Sequence, residues 1–228
     1  MDEMTNMTYV LYICHLVPTL LSLLILRGRS RLVIGYILIG TSVCLFISEI
    51  NGILLNAIAS GDMKYFAATV SPVTEEIVKM LPILFYGIYI SDDREKLVMA
   101  GFSVGLGFAI LENMIVFTQN MQAVNIPWAL VRGFGAGLMH GVSTASIGLG
   151  ISFVKKRKKF FVNGTLALLF MSITYHAIYN AIVISDYKYF GIILPLISYV
   201  PVIFLNRKYS EERKTAESEA AESEAAAS

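Results

Sequence analysis

Long apolar stretches constrain this 228-residue chain more than any other feature of its sequence. Seven of them are predicted as membrane spans, at about residues 7–26, 32–58, 72–90, 97–117, 128–153, 160–184 and 190–205. Within lipid only helices and closed barrels satisfy all backbone hydrogen bonds, and the sequence lacks the short alternating segments of barrel strands. The chain is also 56% hydrophobic and only 15% charged, which is unlike a soluble domain. We therefore predict an all-α polytopic membrane protein with about seven transmembrane helices.

The distribution of basic residues predicts how these helices are oriented, because cytoplasmic loops carry an excess of Lys and Arg. In the seven-span arrangement only Lys64 and Lys188 fall on one side, while Lys79 and Arg132 lie within spans. All other basic residues fall on the opposite side: Arg27, Arg29, Arg31, Arg94, Lys96, Lys155, Lys156, Arg157, Lys158, Lys159, Arg207, Lys208, Arg213 and Lys214. We therefore predict a multi-pass protein of the cell membrane with its N-terminus outside and its C-terminus in the cytoplasm.

The two ends of the chain differ in character. No basic residue precedes span 7–26 and no small-residue cleavage site follows it, so we predict a retained helix and not a signal peptide. Residues 1–209 are predicted to form a single transmembrane domain. Residues 210–228 are rich in Glu, Ala and Ser, cannot bury a core, and are predicted to be a disordered cytoplasmic tail. Cys14 and Cys44 lie within apolar spans and indicate packing, not a disulfide framework.

The third span is the most informative one, since it carries Glu75, Glu76 and Lys79 close to its start. Ionisable side chains inside a span are costly and usually mark a functional site. Glu75 and Lys79 are four residues apart, so we expect them to pair on one face of the helix. The alternative interpretation is an ion pair at the interface that only stabilises the start of a helix.

The neighbouring residues predict the local geometry of this helix. Ser71 is expected to cap it, and Pro72 is expected to occupy its first position. Pro82 lacks an N–H and crowds the carbonyl group of Val78, so a kink is expected close to Lys79.

Three later spans contribute polar side chains at a similar depth. These are Glu112 in the fourth span, His140 in the fifth, and His176 with Asn180 in the sixth. Counted at ~1.5 Å per residue, Glu112 and His176 lie in the outer half of a ~30 Å core, and His140 lies ~15–20 Å below its outer surface. A lone buried histidine usually makes a structural hydrogen bond between helices. Unrelated hydrogen bonds of this kind would not be expected to lie at the same depth in the membrane on several helices. We therefore predict a shared polar cavity, with Glu49 and Asn51 of the second span at a similar level.

Small residues spaced four apart indicate where helices approach each other closely. One such ladder in the fourth span consists of Gly101, Gly105 and Ala109, and one in the fifth span consists of Gly133, Gly137, Gly141 and Ala145. Arg132 lies nearer the outer surface and is expected to snorkel towards the interface.

Four pieces of sequence, in this order, resemble the PrsW-type intramembrane proteases. They are Glu75-Glu76-Ile77-Val78-Lys79, Phe108 through Glu112-Asn113, the segment from Arg132 to His140, and His176-Ala177-Ile178-Tyr179-Asn180. The resemblance covers residues 75–180 and extends to a superfamily that includes the type II CAAX prenyl endopeptidases and the Aph-1 subunit of γ-secretase. The prenyl endopeptidases have an arginine and a histidine where this chain has Lys79 and Glu112, which favours the PrsW branch.

The resemblance implies hydrolysis of a peptide bond in or at the membrane. Glu75, with Glu76, would act as general base on a water, while Lys79 would keep the other carboxylate ionised. Packing the two acids near Glu112 would leave one proton for transfer to the leaving amine.

The same resemblance implies roles for the remaining polar residues. His176 and Asn180 would hold the oxyanion of the tetrahedral intermediate, and His140 would orient the water or a carboxylate. Two histidines and up to three glutamates could also bind Zn²⁺. Because no His-Glu-x-x-His motif is present, we favour a metal-free glutamate mechanism without a cofactor.

By resemblance, the substrate is a single-span membrane protein such as an anti-sigma factor, cut at site 1 near the extracytoplasmic face to release a stress response. This places the protein in a prokaryotic plasma membrane, with the lipid bilayer and the substrate as its partners. The net charge of +1 gives no indication of a nucleic-acid partner.

Two other classes of function also use buried polar residues. An ion- or proton-coupled transporter would use the Glu and His side chains as a pathway, but no convincing internal repeat is evident in the sequence. A non-catalytic scaffold of the Aph-1 kind would use them, with the glycine ladders, to bind a partner helix. A scaffold does not need paired glutamates for chemistry, so Glu75 and Glu76 favour the enzyme.

Overall fold

The structure is a computed structural model that describes residues 28–120, 125–153 and 158–201, with isolated positions elsewhere. These three ranges contain seven helices and no strand. The helices are α1 (Gly28–Ala59), α2 (Met63–Thr69), α3 (Ser71–Tyr89), α4 (Arg94–Gln119), α5 (Ile126–Ile151), α6 (Lys158–Ile184) and α7 (Lys188–Pro201). The all-helical prediction is confirmed for this part of the chain. The predicted span 7–26 and most of the predicted tail lie outside the described residues.

Four of these helices, α1, α4, α5 and α6, are long and apolar enough to cross a membrane. Helix α3 has 19 residues, enough for a ~30 Å core at ~1.5 Å per residue, but it includes three ionisable side chains. Helix α7 is shorter. The sequence does not predict α2, a seven-residue helix that begins after Asp62. The Asp62 carboxylate caps it by accepting a hydrogen bond from the backbone N–H of Tyr65 at 3.0 Å.

Helix α4 packs most extensively against α1 and α5. It begins at the same end of the bundle as α1, since Arg29 of α1 pairs with Glu95 of α4 at 2.8 Å. Helix α6 runs antiparallel to α5: Ser172 donates to the carbonyl oxygen of Ser143 at 2.9 Å, and Thr165 lies against Gly150. The basic residues at the starts of α1 and α4 are therefore at one end, as the predicted topology requires.

Glycines let α4 and α5 approach each other closely in an antiparallel arrangement. A Cβ atom at Gly101 would collide with the carbonyl oxygen of Thr144, and one at Gly105 would collide with that of His140. The predicted ladder on α4 is confirmed at these positions. The ladder on α5 is confirmed in part: a Cβ at Gly141 would lie 2.7 Å from the ring of Phe102, whereas one at Gly137 would meet only the tip of a side chain, at 3.9 Å. The glycines of α4 therefore place the backbone of His140 directly against that helix.

The largest apolar core cluster and the polar side chains occupy different halves of the bundle. This cluster contains buried side chains from α3, α4, α5 and α6: Ile83, Tyr86, Leu97, Val104, Ile147, Ile151 and Leu169. Glu112 lies ~27 Å along α4 from its start at Arg94, at a rise of ~1.5 Å per residue. The polar side chains of the predicted site are therefore near the end of the bundle opposite to the Arg29–Glu95 pair.

The Gly105→Ala variant is expected to be less stable by about 1–3 kcal/mol, because the added methyl group overpacks the contact with His140. The measurement is thermal unfolding of the purified protein in detergent. The matched control is Gly164→Ala on α6, where a Cβ atom meets nothing within 4 Å. Alanine there should leave stability unchanged or raise it by up to about 1 kcal/mol. Equal stability of the two variants would contradict the close contact between α4 and α5.

Candidate active site

Glu75 is anchored through only one of its carboxylate oxygens. Its Oε1 accepts hydrogen bonds from the Ser71 hydroxyl, one turn earlier on α3, and from the Asn51 amide of α1 at 3.4 Å. Thr74 donates to Asn51 Oδ1 at 2.7 Å, which fixes the orientation of that amide. The Oε2 atom of Glu75 is buried and has no hydrogen-bond partner among the described residues. One oxygen is therefore held by neighbouring side chains, whereas none of the described residues holds the other.

The start of α3 differs from the prediction in two respects. Ser71 is the first helical residue, and Val70 precedes it as the cap without a side-chain hydrogen bond. The prediction that Ser71 caps the helix is wrong, because its hydroxyl binds Glu75 instead. Pro72 is consequently the second helical residue, and α3 continues through Pro82 as one helix.

Glu76 and Lys79 form a fully buried ion pair. Lys79 Nζ lies 2.6 Å from Glu76 Oε1, and both side chains are 0% exposed. His176 of α6 donates its Nδ1–H to the same carboxylate oxygen at 2.9 Å. The predicted pairing of Lys79 with Glu75 is wrong, because Ser71 and α1 already hold the Glu75 carboxylate. The negative charge of Glu76 therefore compensates the positive charge of Lys79, and the same carboxylate orients the His176 ring.

His140 connects this ion pair with Glu112 on α4. Its Nδ1 lies 2.8 Å from Lys79 Nζ, and its Nε2 lies 3.1 Å from Glu112 Oε2. An ammonium group can only donate, so Nδ1 accepts and Nε2 carries the proton. The His140 ring also lies edge to face with the ring of His176, at a centroid distance of 4.7 Å. The tautomer of His140 is thus fixed by one partner on each of two helices.

Glu112 forms a second ion pair, with Arg132 of α5. Arg132 Nη2 lies 3.1 Å from Glu112 Oε1, and Arg132 is only 9% exposed. The expectation that Arg132 snorkels to the interface is wrong, because Glu112 offers it a charged partner inside the bundle. Arg132 lies in a π-helical segment, Leu130–Gly135, which the sequence does not predict. Such segments are rare within α-helices and occur frequently at functional sites.

His176 and Asn180 face the cluster from the same side of α6, as their spacing predicts. Asn180 Nδ2 lies 3.1 Å from His176 Nε2 and also donates to the carbonyl oxygen of Ala67 in α2, at 2.9 Å. His176 Nε2 is 3.8 Å from Glu75 Oε2. The proton of the His176 ring is on Nδ1, which donates a hydrogen bond to Glu76. The other ring nitrogen, Nε2, therefore directs a lone pair towards Asn180 and Glu75.

The structure brings together all of the side chains that the sequence predicts for the site. They come from α3, α4, α5 and α6: Glu75, Glu76, Glu112, His140, His176 and Asn180. Asn51 also joins them, whereas Glu49 is exposed. Sequence reasoning missed the contacts of Ser71 and Arg132. The available signals were a hydroxyl group four residues before Glu75 and a guanidinium group inside a span.

Three residues of the cluster could hold a metal ion. Glu75, His140 and His176 each offer one ligand atom, and these atoms lie within 4.8 Å of one another. Two histidines and one glutamate form a ligand set of catalytic zinc. One nitrogen of each histidine is hydrogen-bonded to a further carboxylate, that of Glu112 or Glu76, as is usual around metal sites. The donor chemistry therefore fits a divalent metal such as Zn²⁺.

Comparison with known proteins identifies the family. No curated protein and no solved structure matches the chain. The family described as "PrsW family intramembrane metalloprotease" matches residues 28–206, which is well over half of the chain. This range contains the whole of the 75–180 stretch that carries the resemblance, and it includes the four described helices that are long and apolar enough to cross a membrane. The chain therefore belongs to the PrsW family of intramembrane proteases.

Proposed function

We propose that this protein hydrolyses a peptide bond of a membrane-anchored protein, with Glu75 as the general base that activates water. The observation that carries the proposal is the buried Oε2 of Glu75, which has no hydrogen-bond partner among the described residues and lies 3.8 Å from His176 Nε2, while Oε1 is anchored by α1 and α3. A carboxylate held in this way can take a proton from a water without losing its position. Membership of a protease family favours this function over a transporter or a scaffold.

Glu76 is less suited to the role of base, although its Oε2 also has no hydrogen-bond partner among the described residues. Its negative charge compensates the Lys79 ammonium at 2.6 Å, so protonation of Glu76 would leave a buried charge unpaired. Glu76 also accepts the Nδ1–H of His176. We assign it the role of holding these two side chains.

His176 and Asn180 lie beside the free oxygen of Glu75, where the carbonyl oxygen of a scissile bond would need donors. The two N–H groups of the Asn180 amide bond the Ala67 carbonyl oxygen and His176 Nε2, so Asn180 would donate to the substrate by giving up its bond to His176. His176 Nε2 would donate only when it carries a proton, and Glu76 would then face the resulting imidazolium at Nδ1. In the same proposal, Glu75 returns the proton taken from water to the leaving amine.

His140 acts through its neighbours. It accepts a hydrogen bond from Lys79 and donates one to Glu112, so it keeps the ion pair on α3 at a fixed distance from the carboxylate on α4. Glu112 in turn is fixed by Arg132. We therefore assign to His140 and Glu112 the positioning of the charged groups around the reacting water.

A metal-dependent form of the same reaction is the second candidate, and the donor set of Glu75, His140 and His176 favours it. These residues would hold the metal, which when bound would polarise the scissile carbonyl and activate a water. Glu75 would then be a ligand and could not serve as the base. We favour the metal-free form because the Lys79 ammonium lies 2.8 Å from His140 Nδ1, the nitrogen that does not bind Glu112.

We further propose that the substrate is a single-span membrane protein, such as an anti-sigma factor, cut near the extracytoplasmic face of a prokaryotic plasma membrane. Family membership supports the class of substrate. The cluster lies towards the end of the bundle opposite to the Arg29–Glu95 pair. Under the positive-inside rule that end is extracytoplasmic, which also gives an external N-terminus and a cytoplasmic C-terminus.

Glu75→Gln is expected to lower kcat by about 10²–10⁴-fold, because an amide cannot accept the proton of the attacking water. The variant should still fold, since glutamine keeps an acceptor oxygen for Ser71 and Asn51. Cleavage is measured by immunoblot after co-expression with single-span substrates, with thermal unfolding of each purified variant. Glu49→Gln changes an exposed carboxylate on α1 and should cleave like the wild type. Wild-type cleavage by folded Glu75→Gln would show that Glu75 is not the base.

The metal-free form predicts that a strong chelator leaves the activity of the purified protein unchanged. Inductively coupled plasma mass spectrometry of the active protein should find no stoichiometric zinc. If the chelator removes activity and Zn²⁺ alone restores it, the metal-dependent form is correct.

The orientation predicts that position 62 is external and position 156 is cytoplasmic. Asp62→Cys and Lys156→Cys are each made in a protein whose native cysteines are replaced by alanine. A membrane-impermeant maleimide applied to intact cells should label only the Asp62→Cys variant, and both variants should be labelled after lysis. Labelling of both variants in intact cells, or of Lys156→Cys alone, would show that the predicted topology is wrong.

A further inference from the structure

Tyr179 is a fully buried side chain of α6, three residues after His176, to which the proposed mechanism gives no role. Its hydroxyl donates to the carbonyl oxygen of Val131 in α5 at 2.7 Å. Val131 belongs to the π-helical segment Leu130–Gly135. The Tyr179 side chain lies against the same segment, since a Cβ atom added at Gly135 would lie 3.1 Å from the hydroxyl oxygen. One hydroxyl therefore joins the helix of His176 to the π-helical segment of α5.

The π-helical segment places Arg132 and His140 on the same face of α5. In a regular α-helix, at ~100° per residue, positions eight apart differ by ~80° around the axis, whereas positions seven apart agree to within ~20°. A π-helical turn takes up one extra residue, so Arg132 and His140 are eight apart in sequence but oriented as if they were seven apart. Both side chains consequently reach Glu112: Arg132 Nη2 lies 3.1 Å from Oε1, and His140 Nε2 lies 3.1 Å from Oε2.

One backbone hydrogen bond of the π-helical turn is shared among several acceptors. The N–H of Ala136 is divided among the carbonyl oxygens of Val131, Arg132 and Gly133. An N–H shared in this way is poorly aligned with each acceptor, which weakens each hydrogen bond. The Tyr179 hydroxyl gives the Val131 carbonyl a partner of its own. A regular α-helix would rotate Val131 by ~100° relative to the later part of α5, away from this hydroxyl. The hydrogen bond therefore favours the π-helical register.

The ring of Tyr179 is held by apolar neighbours. It packs with the buried side chains of Ala136 and Met139 on α5. On its other side, a Cβ atom added at Gly191 would lie 3.8 Å from Cε2 of the ring. Phenylalanine at this position would keep the ring packing and lose only the hydrogen bond, so the role of the hydroxyl can be tested by itself.

We propose that Tyr179 is a positioning residue whose hydroxyl holds the π-helical turn in the register that places Arg132 on Glu112. Glu112, fixed at one oxygen by Arg132, keeps its other oxygen in position to accept from His140. The inference rests on the proposed protease function. It adds to that function a residue that acts through Arg132 and touches neither the substrate nor the reacting water.

The first test measures cleavage by the purified protein. The substrate is an internally quenched single-span peptide of about 25 residues, with a Leu–Ala span interrupted by Gly-Gly-Ser at its extracytoplasmic end. Tyr179→Phe is expected to lower kcat by about 10–100-fold with little change in KM, because displaced charged groups slow the reaction without removing a contact to the substrate. In a protein that already carries Arg132→Gln, it should lower kcat no further.

Tyr175→Phe is the matched control for this measurement. It removes a hydroxyl group one turn earlier on α6, and that hydroxyl is hydrogen-bonded to Ser198 of α7 at 2.6 Å, not to α5. The variant should therefore cleave the peptide like the wild type.

The second test is thermal unfolding in detergent, which does not depend on catalysis. Arg132→Gln is expected to lower the Tm of the wild type by roughly 5–15 °C, because the Glu112 carboxylate loses its charged partner. In Tyr179→Phe the same substitution should lower the Tm by less than half as much, since Arg132 no longer holds Glu112. A hydroxyl with only a packing role would leave the effect of Arg132→Gln unchanged.

A wild-type kcat for folded Tyr179→Phe would disprove the positioning role. The role is also wrong if Tyr179→Phe lowers kcat by the same factor with and without Arg132, or if Arg132→Gln lowers the Tm equally in both backgrounds. If the folded wild type does not cleave the peptide, the proposed protease function fails. The unfolding measurements then still decide whether Tyr179 holds Arg132 on Glu112.

A second variant applies if Tyr179→Phe alone does not fold. Deletion of Gly133 removes the extra residue and leaves Arg132 seven positions before His140 in a regular α-helix. Tyr179→Phe combined with this deletion should fold and cleave the peptide, because the register no longer needs the hydroxyl. If the combined variant also fails to fold, the hydroxyl does not act through the register of α5 and the inference is disproved.

Discussion

The Lys79 ammonium, fully buried in an apolar bundle, is the charge on which the candidate active site depends. An ion removed from water is strongly destabilising unless an opposite charge and hydrogen bonds compensate for it. Glu76 supplies the charge at 2.6 Å, His140 accepts at 2.8 Å, and the face of the Phe108 ring lies 4.7 Å away. These partners belong to α3, α5 and α4, so compensation of a single ammonium fixes three helices relative to one another. The glycines of α4 make this possible, because they allow the backbone of His140 to approach α4 directly.

The need to compensate the charge of Lys79 also distinguishes Glu75 from Glu76, which the sequence alone does not. Glu76 faces the ammonium and His176, so its charge is needed where it is. One oxygen of Glu75 is held by neutral donors, the hydroxyl group of Ser71 on α3 and the amide of Asn51 on α1. Neutral donors fix a carboxylate without demanding that it stay ionised. Glu75 can therefore change its protonation state at a lower cost than Glu76, which is the property that a general base needs.

The sequence could predict which side chains meet, but not which atoms bond. Helical rise and spacing place Glu112, His140 and His176 at one level, and the structure brings them together there. Spacing alone does not decide whether Lys79 pairs with the residue three or four positions earlier. Lys79 pairs with Glu76 because the Glu75 carboxylate is hydrogen-bonded to Asn51 of α1. The burial of Arg132 was missed for a similar reason, because the π-helical segment changes the helical register of α5 in a way that no residue pattern indicated.

The side chains of the cluster are buried to different extents. The side chains of Glu76, Lys79 and His176 are fully buried, whereas the Glu112 side chain is 23% exposed. In the proposed mechanism substrate and water therefore approach from the side of Glu112, away from the ion pair of Lys79 and Glu76. A buried ion pair has a stronger electrostatic influence than an exposed one, because charges interact more strongly in a low-dielectric interior.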